Sequence, residues 1–297
     1  MFSTSRALLP TALLLAGSVF VSERAAAEAA WTDEPATVVT LLSPGAAPLR
    51  ARTYSPLPGT QRVQRLQQHE LEATSVVGGA GREDTGQVRV VYDLRLVPDD
   101  DPQRITIEAT LQELDAPGPE DEEEEPGPRD VGLLQLDLQG RPLRSAWTTA
   151  TSDPLLLRAR GRVATLATPL PAEPIGEGAR WEVRQTTEAG GASLTLVSTC
   201  TLVAEVPAGL DIECTFRHEA SGGAFAEKTG PLKRGEVRVL DSEISGRSLI
   251  LQSLDALGPL REDGDLHTTI TAKARQAVFP TRITLQVAER WNVVGGE

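Results

Sequence analysis

Residues 168 to 181 read Thr-Pro-Leu-Pro-Ala-Glu-Pro-Ile-Gly-Glu-Gly-Ala-Arg-Trp, and this stretch limits the fold more than any other. Proline has no N–H to give to a sheet ladder, so Pro169, Pro171 and Pro174 exclude a central strand here. Gly176 and Gly178 permit tight backbone turns, so the stretch is expected to be an ordered loop that passes into a strand at Trp181. On both sides the chain alternates apolar and polar residues. The N-terminal part leads to one helix just before the loop, and the C-terminal part reads as a β meander.

Before the loop, Val38 to Leu42 is a short strand ended by Ser43-Pro44-Gly45. Arg62 to Val77 is a long, imperfect one, closed by Gly78-Gly79-Ala80-Gly81. In Gln87 to Val97 the residues Val88, Val90, Tyr92, Leu94 and Leu96 share a face and are expected to point inward. Asp99 to Pro102 turns the chain into Ile105, Ile107, Ala109 and Leu111, which completes a hairpin. Residues 115 to 130 carry six consecutive acids between Pro-Gly-Pro flanks and have nothing apolar large enough to anchor them; they are expected to be a disordered, solvated loop. Calcium is the weaker alternative there, because consecutive acids lack the alternating ligand spacing and turn glycine of a dedicated loop. Val131 to Leu138 and Leu143 to Thr149 form another hairpin.

At Asp153-Pro154 the period changes. Leu156, Ala159, Val163, Leu166 and Leu170 recur at spacings of 3 and 4, one apolar face of a helix, with Pro154 at its first position and Ser152 or Asp153 as cap. The spacing predicts a single amphipathic helix over about 154–168, covered by the sheet. After the loop, Cys200, Leu202 and Ala204 share one strand face, and Leu210, Ile212, Cys214 and Phe216 share the next. If Leu202 opposes Ile212 and Ala204 opposes Leu210, Cys200 lies opposite Cys214. Close antiparallel partners approach to about 4.5 Å between Cα atoms, which admits a disulfide. Gly235 to Ser253, Leu266 to Lys273 and Thr281 to Ala288 supply further strands; Arg261 to Asp265 reads as a turn and Trp291 onward as a loosely held tail. The expected fold is mainly β: a large curved antiparallel sheet, or partly open barrel, with the helix packed on it. It forms a single domain of residues 28–297, or two β lobes joined near 169–181.

The start of the chain carries an address. Arg6, the apolar run Ala7 to Val21 and Ala25-Ala26-Ala27 make a secretory signal peptide, with cleavage expected after Ala27. Export to the periplasm or medium is therefore expected, with no transmembrane segment after removal of the signal. The two cysteines then meet an oxidising compartment. Loss of Arg6, Arg24 and Glu23 takes the net charge from −13 to −14, which argues against nucleic acid and anionic lipid surfaces as partners.

Leu42-Ser43-Pro44-Gly45 followed by Leu49-Arg50, the Leu-Pro-x-x-Pro-Ile-Gly-x-Gly-x-x-Trp pattern at 170–181, and Ser245-Gly246-x-x-Leu249 before Leu257-Gly258-Pro259-Leu260 together resemble an uncharacterised family of secreted, β-rich bacterial proteins known as a domain of unknown function. The resemblance covers most of the chain after residue 27. It implies a fold and is silent on chemistry, and the acidic stretch at 115–130 reads as an insertion in it.

No catalytic set emerges. Gly-x-Ser-x-Gly, His-Glu-x-x-His, a phosphate-cradling loop and a dinucleotide fingerprint are all missing, and no cofactor or metal site is implied. His69, His218 and His267 fall on polar strand faces or ends, where solvated histidines are the common case. The first functional reading is a non-catalytic binding or carrier module for a hydrophobic small molecule or an envelope partner. Its candidate ligand-binding residues are Tyr92, Leu156, Val163, Leu166 and Trp181, outlining a cleft between helix and sheet. Trp181 and Trp147 are weighed also as core plugs, the commoner role. The alternative is a structural or interaction protein of the envelope. A hydrolase is third, because a carboxylate pair assembled by folding leaves no spacing signature.

Overall fold

The computed structural model describes residues 30–75, 82–115, 130–151, 154–189, 192–220, 237–274 and 281–296. The expected signal peptide, most of the acidic stretch and the helix cap at 152–153 lie outside the described residues.

Among the described residues, thirteen antiparallel strands make one sheet. In chain order they are β1 (Thr32–Asp33), β2 (Thr37–Ser43), β3 (Thr60–Ser75), β4 (Arg82–Val97), β5 (Arg104–Asp115), β6 (Val131–Asp137), β7 (Pro142–Trp147), β8 (Arg180–Ala189), β9 (Ala192–Val206), β10 (Gly209–Ala220), β11 (Val237–Gln252), β12 (Pro259–Ala274) and β13 (Thr281–Gly296). The helix α1 (Pro154–Val163) lies between β7 and β8. Across the sheet the order is β1-β7-β6-β5-β4-β3-β13-β12-β11-β10-β9-β8-β2. Hairpin connections account for almost all of it. The exceptions are the pairing of β3 with β13, which joins the strands before α1 to those after it, and the two edges.

Those edges reveal the shape. β1 and β2 sit at opposite ends of the strand order, yet Asp33 and Thr37 are four residues apart in the chain. Four peptide units span at most about 15 Å. The sheet therefore rolls until its first and last strands are near neighbours, a partly open barrel that the 30–43 segment spans from edge to edge.

Inward positions alternate along each strand and hold the core, including Leu94, Ile107, Leu134, Trp181, Leu202 and Val293. Outward positions carry ion pairs such as Arg62–Asp93, Arg95–Glu108, Arg217–Glu182 and Arg247–Asp265. No helix among the described residues is long and apolar enough to cross a membrane.

Inside the roll lie α1 and the chain immediately after it. Helix α1 ends at Val163, earlier than the periodicity predicts: Thr165 N–H and Leu166 N–H bond to the Arg162 and Val163 carbonyls as a tight turn. Leu166 and Leu170 keep their inward positions without helical backbone, so the apolar spacing outlasts the helix. Helix α1 is held by a buried ion pair. Arg160 Nε and Nη2 donate to Asp130 Oδ2 and Oδ1 at 2.8 and 2.7 Å, and Arg160 lies over the Trp147 ring. Asp130 is only 2% exposed, and Asp115 ends β5, so the acidic stretch expected to be disordered is ordered at both ends.

The 168–181 loop is ordered, as its prolines and glycines predict. Arg50 and Ile175 exchange two backbone hydrogen bonds, Gly176 N–H reaches the Pro44 carbonyl, and Gly178 N–H reaches Leu202. A Cβ on Gly176 would overlap the Ala46 carbonyl oxygen, which explains glycine there.

Three further expectations need correction. Arg261–Asp265 is strand, not turn, because β11 and β13 both supply ladders and Asp263 and Asp265 pair outward with Arg261, Asn292 and Arg247. Trp291 onward is the end of β13 rather than a tail, and Trp291 is buried. Ala204 faces Asp211, not Leu210, because a bulge between Asp211 and Ile212 shifts the register; Gly209 pairs with Val206, leaving Pro207-Ala208 as the turn. Beyond the bulge, Leu202 opposes Ile212 and Cys200 opposes Cys214 as expected. The two cysteines form a disulfide across a Cα separation of 4.1 Å.

Candidate functional site

One inward row runs sideways through the sheet. Trp181 pairs with Cys200, Cys200 with Cys214, Cys214 with Ser248, Ser248 with Gly264, Gly264 with Trp291, and Trp291 with Gln67. Two tryptophans thus bracket four small residues. Gly264 is required by its neighbour, since a Cβ there would overlap the Trp291 indole. Small side chains in a row cannot fill the space beneath the turn that succeeds α1.

That space is a cavity of about 210 Å³. Its roof is the turn at 164–169; its wall comprises inward residues of β8 to β13 and β3, among them Val183, Leu196, Phe216, Ile250 and Leu266. The Cys200–Cys214 disulfide and Ser248 form part of the floor. Thr165 is exposed and belongs to the lining, so the cavity reaches solvent beside the turn. The roof is fixed by two buried aromatics: Tyr54 Oη donates to the Thr168 carbonyl and Trp181 Nε1 to the Pro169 carbonyl, each at 2.9 Å. Burial pushes the Tyr54 hydroxyl well above its ordinary value, against the smaller opposing effect of its bond to Thr168.

The cavity wall is mostly apolar, broken by Gln185, Ser198 and Ser248, and its charged groups gather at one end, where Arg65, Arg162, Glu262, Glu289 and Trp291 meet. Trp291 Nε1 donates to Glu262 Oε1 at 2.8 Å, and Arg162 Nη2 donates to Glu289 Oε2 at 3.4 Å. Arg65 and Arg162 lie over the Trp291 ring at 5.0 and 6.0 Å from its centroid. Arg65 is 8% exposed, and among the described residues its Nε and Nη2 have no hydrogen-bond partner. Burial, then the like charge of Arg162, pushes the Arg65 guanidinium down to about 10, only partly countered by Glu262 and Glu289. On the other side of Arg65 and Arg162 is a second gap of about 20 Å³, the size of one water molecule, bounded by Gln67, Val88, Val90, Tyr92, Leu114 and Ala159.

The five residues singled out from the sequence fall in different places. Leu166 lines the larger cavity. Tyr92 borders the small gap, its hydroxyl unpartnered and raised by burial and then by Asp130. Val163 is buried in the core, and Leu156 is half-buried on α1. Trp181 is 0% exposed and packs in the core beside Cys200. Val90 and Tyr92 approach Ala159 of α1 across the small gap, and the larger space lies on the opposite, β8 to β13 side. Sequence reasoning missed Arg65, Arg162, Glu262 and Trp291. A cation at an otherwise inward strand position was the available signal for Arg65, since it shares parity with Val63 and Gln67.

The side chains of His69 and His218 lie outside the described residues. His267 is exposed on the outer face, its Nε2 3.7 Å from Asp265. Among the described residues no group of three or more His, Cys, Asp or Glu is placed to hold a metal ion. A scan against protein-family models finds no match, and a search of curated proteins finds none.

Proposed function

We propose that this chain is an exported binding or carrier protein that holds a hydrophobic small molecule between the 164–169 turn and the inner faces of β8 to β13. The observation that carries the reading is the cavity of about 210 Å³ with predominantly apolar walls. An apolar cavity of about 150 Å³ accepts benzene, so this one has room for a larger ligand. Apolar surface buried in it gains about 25 cal/mol per Å². Its roof is pinned through Thr168 and Pro169, so the site is built before a ligand arrives, which lowers the ordering cost of binding. The Cys200–Cys214 disulfide fits an oxidising compartment and hence the expected signal peptide at residues 1–27. The resemblance to a secreted, β-rich family fits the same setting.

Two measurements test it together. Organic extraction of protein recovered from its native compartment, followed by mass spectrometry, is expected to yield a hydrophobic compound in stoichiometric amount. Purified protein is expected to take up a neutral fluorescent naphthylamine probe, and Ser248→Leu, which narrows the floor, to take up less. An empty extract with no uptake by the wild type would turn the reading to an envelope interaction protein.

A further inference from the structure

We infer that the ligand of this cavity carries a carboxylate, gripped by the free edge of the Arg65 guanidinium; this rests on the reading of the cavity as a ligand site. The protein itself shows what that edge is for. Arg62 presents Nε and Nη2 to Asp93 at 2.8 and 3.1 Å, Arg95 presents the same pair of atoms to Glu108 at 3.2 Å each, and Arg160 presents it to Asp130 at 2.8 and 2.7 Å. Nε and Nη2 lie on one side of the planar guanidinium and match the two oxygens of a carboxylate. Arg65 keeps this same pair unpartnered while buried, and forms part of the cavity wall.

The carboxylates nearby are engaged elsewhere, Glu262 with Trp291 Nε1 and Glu289 with Arg162. Leaving two guanidinium nitrogens without acceptors in a buried place is costly, and an incoming carboxylate removes that cost. Arg162 adds a second cation at the same end of the cavity. Away from it the wall is mostly apolar, with Leu166, Val183, Leu196, Phe216, Ile250 and Leu266, interrupted by Gln185, Ser198 and Ser248, and carries no further charged side chain among the described residues. The ligand class is therefore an aliphatic or aromatic monocarboxylate, head on Arg65 and tail beneath the turn. By proportion to benzene in about 150 Å³, a tail of about eight carbons fills the space of about 210 Å³.

The test compares decanoate with decan-1-ol, matched in length and differing in the head, each displacing the neutral naphthylamine probe from the purified chain. Wild type is expected to favour decanoate over decanol by roughly tenfold or more, the effect of charge-assisted hydrogen bonds in a buried site. In Arg65→Gln that ratio is expected to fall to about one, and in Arg65→Lys, which keeps the charge without the fork, to an intermediate value. The wild-type preference is also expected to decline below about pH 5, as the ligand carboxyl becomes protonated, and to be lost roughly one to two pH units lower. Probe uptake by each variant reports that its cavity has formed. Equal affinity for the two ligands in wild type, or an unchanged ratio in both variants, overturns the carboxylate assignment while probe uptake leaves the hydrophobic-ligand reading standing. A wild type that binds neither ligand nor probe overturns both.

Discussion

The two sides of the rolled sheet face the same helix and turn and end up differently: β4 to β6 close upon α1, whereas β8 to β13 leave a cavity. On the closed side the inward residues are Val90, Tyr92, Leu94, Ile105, Ile107, Leu134 and Leu136, all buried. The Asp130–Arg160 pair draws α1 onto that side. On the open side the inward row is Cys200, Cys214, Ser248 and Gly264, too small to meet the turn above it. Hydrophobic periodicity is present on both sides. What differs is the summed volume of the side chains facing inward and the presence of a charged anchor, so patterning decides which face is inside and volume decides whether the inside is full.

Substitutions on the closed side are expected to be the more damaging. Asp130→Ala leaves Arg160 buried without its carboxylate and releases α1, an expected loss of about 3–5 kcal/mol in denaturant unfolding. A loss under about 1 kcal/mol would show that α1 is held by packing alone. Leu94→Ala is expected to cost about 2–5 kcal/mol, against about 1 kcal/mol for Leu166→Ala, whose side chain already borders empty space. Equal losses would break the distinction between a filled and an open side. The double substitution Cys200→Ala/Cys214→Ala opens the 14-residue separation and is expected to cost at most about 3 kcal/mol, because the strands are already paired by a two-residue turn. Comparison of unfolding midpoints with and without reductant checks the same quantity.

The smallest expected effect is on pH dependence, and its sign differs between the buried tyrosines and the buried arginine. Tyr54 and Tyr92 have hydroxyl values raised by burial, so the unfolded chain loses those protons first. Their contribution is intact below about pH 10 and declines as pH rises beyond it. Arg65, lowered to about 10, works in the opposite direction: the folded chain releases that proton first, and stability from this group rises between about pH 10 and the ordinary arginine range. With two tyrosines against one arginine, the unfolding midpoint is expected to fall between about pH 9 and 11. Tyr92→Phe removes an unpartnered hydroxyl, so it is expected to leave the neutral-pH midpoint nearly unchanged and to shrink the alkaline fall. An alkaline fall of the same size in Tyr92→Phe would assign it to other groups.

Much of the local architecture was legible because its causes are local. Strand parity placed Cys200 against Cys214, and the prolines and glycines of 168–181 marked an ordered loop. The 3-and-4 spacing found the α1 face, though not its end, because Leu166 and Leu170 hold that face in non-helical backbone. Arg261–Asp265 has the composition of a turn and became strand because two neighbouring strands supply its ladders. Trp291 looked like part of a tail because nothing in the residues around it announces Gly264, which makes room for its ring.

By itself, then, the sequence determined a mainly antiparallel β fold, the inward face of most strands, one helix and the disulfide pairing, since each arises from alternation, periodicity or turn chemistry within a few residues of its cause. Only the tertiary structure decided that β1 and β2 meet across a rolled sheet, that Arg65, Arg162, Glu262 and Trp291 share one end of a cavity, and that the open space lies under β8 to β13 rather than under Val90 and Tyr92. Those outcomes depend on which distant strands become neighbours and on the sum of side-chain volumes from seven of them at once. A period carries the direction in which a side chain points, and no information about the size of what it will meet.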